Sequence, residues 1–77
     1  MRTPLIRRLR GAVDRKRGVM LDRDELARVY TAARAARGAA DPWVDAMRRA
    51  VLAGAGFKLD AKAAAASLRL IDIGGSA

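Results

Sequence analysis

Leu21-Asp22-Arg23-Asp24-Glu25-Leu26 and the run that follows it, Ala27-Arg28-Val29-Tyr30-Thr31-Ala32-Ala33-Arg34-Ala35-Ala36-Arg37-Gly38, decide the fold. Asp22 stands three residues before Glu25, the spacing of a capping box, in which each side chain satisfies a backbone N–H at the other end of the turn. Leu21, just outside the cap, is placed to staple onto Leu26. Leu26, Val29, Tyr30 and Ala33 then recur at helical spacing as one buried stripe, and Gly38 closes the run. The pattern predicts a helix over 23–37.

The flanking segments carry the same punctuation. Upstream, Thr3 is placed to cap a helix over about 4–17, with Pro4 at its first position, where a missing N–H costs nothing. Leu5, Ile6, Leu9 and Val13 share its apolar arc, Arg7, Arg8, Arg10 and Arg15 the opposite one, and Gly18 stops it. Downstream, Asp41 and Pro42 open a helix over 42–53 with Trp43, Met47, Ala50 and Val51 inward, ended by Gly54 and Gly56. Asp60 caps a fourth over 61–71, whose inward residues are Ala61, Ala64, Leu68 and Ile71; residues 72–77 read as a frayed tail. No alternating strand pattern, linker or internal repeat stands out. The expectation is a single all-α domain, a small bundle of about four short helices.

Composition bounds what such a bundle can do. The chain has 77 residues and neither Cys nor His, so disulfides, thiolate metal sites and His-based nucleophile pairs are all excluded. Leu, Ile, Val and Phe number only 17, while 18 of the 40 apolar residues are Ala. The core is therefore thin, and a partner would add stability. No apolar run approaches the roughly 18 residues that span a bilayer. Met1-Arg2-Thr3-Pro4-Leu5-Ile6-Arg7 lacks the apolar stretch of a secretory signal, so a cytoplasmic location is expected. No cofactor or metal is expected.

The net charge of +8 is concentrated. Residues 1–18 hold seven basic side chains against Asp14 alone, a net +6. Arg outnumbers Lys 13 to 3, a bias that GC-rich coding also produces, yet guanidinium forks suit phosphate and carboxylate partners bidentately. The candidate nucleic-acid contacts are Arg7, Arg8, Arg10, Arg15, Lys16 and Arg17. Arg34, Arg48, Arg49 and Lys62 are placed to extend them. Two blander readings compete: a solvated face that keeps a small protein dissolved, and a basic helix lying on anionic lipid. The lipid reading would require the apolar arc that the bundle needs for its core.

Sequence-specific readout is poorly served. Asn and Gln are absent, so adenine edges lose their usual readers. With Gly38 as the turn of a helix–turn–helix, Arg34 and Arg37 occupy positions that need small or buried residues. With Gly54, Arg49 and Asp60 do. No zinc finger, RNA-stacking motif or phosphate-binding glycine loop is present. Tyr30 and Trp43 sit on apolar stripes and read as core, whereas Phe57 could stack on a base or seal the bundle end. Asp22 with Asp24 and Asp41 with Asp45 are carboxylate pairs, but helix caps and dipoles explain them, and Ser67 and Ser76 have no base; no enzyme is expected.

In size, Arg/Ala richness, lack of Cys and His, and the basic segment from Arg7-Arg8-Leu9-Arg10 through Arg15-Lys16-Arg17, the chain resembles the small accessory proteins of bacterial phages and mobile elements, anti-CRISPR proteins among them. That resemblance implies a stoichiometric inhibitor acting in the bacterial host cell. It would cover a displaced single strand or another nucleic-acid surface, and so keep a nuclease from its substrate. Two partner classes follow. One is nucleic acid, DNA before RNA, or a complex that handles it. The other is an acidic protein surface on which the basic helix docks, as in a phage assembly. A monomer or weak homodimer is expected.

Overall fold

The computed structural model describes residues 4–74, with side chains described up to Asp72. Four helices are joined by two short strands: α1 Leu5–Arg15, β1 Val19–Leu21, α2 Arg23–Arg37, α3 Pro42–Ala53, β2 Phe57–Leu59 and α4 Ala61–Gly74. The mostly helical bundle expected from the sequence is present, and the capping box at its centre forms as read. The Glu25 N–H donates to Asp22 Oδ1 at 2.9 Å and the Asp22 N–H to Glu25 Oε1 at 3.0 Å. Asp41 caps α3 through the N–H groups of Trp43 and Val44, and Asp60 caps α4 through that of Ala63.

Four local expectations are corrected. Pro4 is the N-cap of α1 and not its first helical residue, and Thr3 lies outside the described residues. The helix ends at Arg15, because Lys16 takes the left-handed conformation (φ 52°, ψ 47°) and not because Gly18 breaks it. Helix α4 runs through Gly74, which makes 72–74 helical; residues 75–77 lie outside the described range. Two strands exist where none was expected. At three residues each they are too short to display an alternating pattern, and Phe57 belongs to one of them.

The strands pair antiparallel, Val19 with Leu59, Met20 with Lys58 and Leu21 with Phe57. This register exposes a duplication. Shifting the chain by 38 residues places Gly18-Val19-Met20-Leu21-Asp22 on Gly56-Phe57-Lys58-Leu59-Asp60, without a gap. The same shift superposes Pro4 on Pro42, Arg10 on Arg48, Ala12 on Ala50, Val13 on Val51 and Ala27 on Ala65. Met20 thus pairs with its own counterpart, and Val19 with the counterpart of Leu21. Such a register requires an approximate two-fold axis through the middle of the sheet. The helices obey it: α1 packs on α4 as α3 packs on α2, and α2 meets α4 across the axis.

Matching details follow from matching geometry. Both first helices end in the same closure. Arg17 N–H donates to the Ala12 carbonyl and Lys16 N–H to that of Val13, while Ala55 and Gly54 do the same to Ala50 and Val51. Both strand-opening glycines permit a close approach. A Cβ on Gly18 would stand 3.1 Å from the Leu59 carbonyl oxygen, and one on Gly56 would stand 3.0 Å from that of Leu21. Either atom would push the strands apart.

The core lies where the two halves meet. Leu9, Leu21, Leu26, Val29, Val44, Met47, Leu59 and Ala64 are essentially sealed from solvent. Leu21 and Leu59 are counterparts, as are Leu9 and Met47. Tyr30, Trp43 and Phe57 pack against this cluster while partly exposed, as the core reading of the first two required. Ala12 and Val44 are buried more completely than Val13 and Trp43, so the inward arcs of α1 and α3 are rotated slightly from the arcs read in the sequence. Ser67 is buried without penalty because its hydroxyl donates to the Ala63 carbonyl at 2.8 Å.

Candidate nucleic-acid interface

Charge does not follow the duplication. Residues 1–38 carry a net +7 and residues 39–77 a net +1, although the described parts of both build the same helix–strand–helix unit. The difference is greatest at the end of the first helix in each unit. Arg15, Lys16 and Arg17 stand where the second unit has Ala53, Gly54 and Ala55. All three basic side chains are exposed, and among the described residues none has a carboxylate within ion-pairing distance. Cations are favoured by the partial negative charge at a helix C-terminus. Yet α3 closes with the same hydrogen bonds and no basic residue in its last turn. The fold does not need them.

Two lysines join this cluster from the far end of the chain. Lys58 is exposed on β2, and its side chain runs beside Gly18, with Cε 3.0 Å from where a Cβ there would sit. Only strand pairing makes that contact, so a linear reading of charge runs misses Lys58. Lys62 is exposed in the first turn of α4, the helix on which α1 packs. Across the two-fold, a groove of about 500 Å³ has Asp24 on one wall and Ala55 on the other. The counterparts of these two residues are Lys62 and Arg17, which places both at the junction of α1 with α4. Arg7 and Arg10, both exposed, continue the basic surface along α1. From Arg7 to Arg17 the helix and its closure span about 15 Å at a rise of roughly 1.5 Å per residue.

The remaining candidates are placed elsewhere. Arg8 turns inward: its guanidinium forms an ion pair with Glu25 and donates to the Met20 carbonyl, tying α1 to α2 and β1. Glu25 is 5% exposed, and Arg8 is its one ion-pair partner among the described residues. Arg49 pairs with Asp45 at 3.1 Å one turn away on α3. Arg48 is exposed as the counterpart of Arg10, but α3 does not pack on α1, so it belongs to a different face. Arg34 is exposed near the end of α2. Arg37 lies over the Trp43 ring at 5.1 Å and beside Asp41 at 3.7 Å. The structure therefore leaves Arg7, Arg10, Arg15, Lys16 and Arg17 exposed along α1 and its closure together with Asp14, sets Lys58 beside Gly18 and Lys62 on the helix that packs against α1, and engages or places elsewhere Arg8, Arg34, Arg48 and Arg49.

The role of Arg8 has a direct test. Arg8→Ala strands a buried carboxylate and is expected to cost about 1–2 kcal/mol, less than a fully buried pair because the guanidinium is 30% exposed. Its counterpart position holds Ala46, and that of Glu25 holds Ala63. The double variant Arg8→Ala/Glu25→Ala should therefore be less destabilised than the sum of its single changes, as read by urea denaturation. Additive losses would show that the pair is not coupled.

Among the described residues no three His, Cys, Asp or Glu side chains converge as a metal site, and no helix is long and apolar enough to cross a membrane. The molecule is thus defined by its own geometry, a duplicated helix–strand–helix domain whose excess positive charge lies in its first half. No family model, curated protein or solved structure matches the chain.

Proposed function

We propose that this protein binds the phosphate backbone of nucleic acid, without regard to sequence, through the surface formed by Arg7, Arg10, Arg15, Lys16, Arg17, Lys58 and Lys62. One observation carries the reading: the same fold, built twice in one chain, bears a net +7 on the first copy against +1 on the second, and the exposed run Arg15-Lys16-Arg17 stands on the first copy alone. Solubility and helix capping act alike on both copies and call for no such asymmetry. A polyanion acts on one face. Guanidinium and ammonium groups that project into solvent without carboxylate partners release counterions from a phosphate array, which is the main source of sequence-independent affinity. The absence of Asn and Gln fits a surface that holds a backbone and does not read base edges.

Single-stranded DNA is the preferred ligand. Occlusion of a strand from a host nuclease, in the manner of small phage-encoded inhibitors, is the proposed consequence. With about six phosphates neutralised, log K should fall against log salt with a slope of roughly −4 to −5. Fluorescence anisotropy with labelled oligonucleotides, single- and double-stranded, DNA and RNA, measures that slope. Absence of binding to all four at low salt, or a slope near zero, would overturn the proposal.

A further inference from the structure

Glycine and a side chain have changed places between the two units. In α3 an arginine, Arg49, stands in the helix interior, and Gly54 takes the left-handed position that closes the helix (φ 68°). In α1 the corresponding interior position holds Gly11, and the left-handed position holds Lys16 (φ 52°). Both choices work against the stability of α1. Glycine is among the poorest residues for a helix interior, and a left-handed residue that carries a Cβ is strained. The strain at Lys16 sets a cation on the surface. Gly11 needs a separate reason. A Cβ there would meet nothing within 4 Å beyond its own helix backbone, so among the described residues no packing neighbour calls for its absence.

Gly11 lies one turn after Arg7 and one turn before Arg15, on the same row of α1. Both arginines are exposed, and among the described residues neither has a carboxylate within ion-pairing distance. Their Cα atoms stand about 12 Å apart along the axis at a rise of roughly 1.5 Å per residue. Arg8, three residues before Gly11, is drawn away to Glu25 and the Met20 carbonyl. The second unit fills the same row with Asp45, Arg49 and Ala53, and there Arg49 pairs with Asp45 at 3.1 Å. We infer that Gly11 is where a bound nucleic-acid strand crosses α1 against the helix backbone, a sugar filling the gap while its flanking phosphates meet Arg7 and Arg15. Asp14, exposed three residues beyond Gly11, repels a phosphate at the gap itself, so the uncharged sugar is the part that fits there. The inference rests on the proposed binding of nucleic acid and adds to it a fixed crossing point.

Thermal melts of the full chain, beside anisotropy titrations with labelled single-stranded DNA, test the crossing point, because stability and affinity should move in opposite directions. Gly11→Ala is expected to melt about 4 °C or more above the wild type, since alanine is the better helix former. It should nevertheless bind about threefold more weakly, and Gly11→Leu at least about tenfold more weakly, although no charge has changed. Ala35→Leu adds comparable bulk to an exposed position of α2, off this row, and should alter binding by less than about twofold. A Gly11→Leu protein binding within about twofold of the wild type, or no more weakly than Ala35→Leu, would overturn the crossing point and leave backbone binding standing. A Gly11→Ala protein that melts lower would show that the fold itself needs the glycine, and would overturn it too. A wild type that binds no oligonucleotide overturns both readings, so the two failures are distinct.

Discussion

The variant Arg15→Ala/Lys16→Gly/Arg17→Ala is expected to bind a short oligonucleotide about 100-fold more weakly than the wild type at about 0.1 M salt, with its fold intact. The expectation follows from counterion arithmetic. Each phosphate contact contributes roughly 0.7–0.9 to the salt slope, so it contributes nearly that many log units of affinity between 1 M and 0.1 M. Three lost contacts amount to about two log units, and the slope should become shallower by about two. The substitutions are those the protein already carries at Ala53, Gly54 and Ala55, where the helix closes with the same hydrogen bonds. Glycine at position 16 also relieves a left-handed backbone that lysine adopts at some cost (φ 52°). The variant should therefore melt no lower than the wild type. Unchanged affinity in a folded variant would remove this cluster from the interface.

Leu21→Ala and Leu59→Ala should each leave the protein barely folded. Both leucines are sealed, at 0% and 1% exposure, and each sits on a strand at the two-fold, where both halves press on it. A buried Leu→Ala change costs about 2–5 kcal/mol, depending on how far the cavity collapses. The total stability of a small domain is on the order of 5 kcal/mol, and this core is unusually poor in large side chains. A fall in thermal midpoint of at least about 10 °C is expected for either variant, read by circular dichroism. Met20→Ala, on the same strand but open to solvent, serves as the control and should change stability by about 0.5 kcal/mol or less. A Leu21→Ala protein melting within a few degrees of wild type would mean that the strands do not join the halves.

Much of the fold was legible because its helix boundaries are written in side chains. Asp22 with Glu25, Asp41 with Pro42, Asp60, Gly38 and Gly54 each act within one turn, and local chemistry of that kind survives into the folded chain. What stayed hidden depends on pairing. Three-residue strands have no period to detect. The duplication was masked because its shared positions are mostly small or buried residues, while the exposed positions that dominate a linear reading have diverged, with Arg7 opposite Asp45 and Lys62 opposite Asp24. The same divergence explains the site. Arg15, Lys16 and Arg17 are visible as a run, but Lys58 joins them only through β2. Arg8 was indistinguishable from Arg7 until the burial of Glu25 claimed it. A charge run gives the sign of a surface; which of its members are free is a tertiary property.

The link between the halves is short, residues 38–41, between the end of α2 and the start of α3. Each helix–strand–helix unit presents half of one core, and alone would have to find a mate by diffusion. Tethering makes that encounter intramolecular, at an effective concentration on the order of millimolar for a short linker. Closure of the sheet is then independent of dilution. Since each unit always meets the other and never itself, neither has to remain self-complementary, and the outer surfaces of the two could specialise separately on a shared backbone.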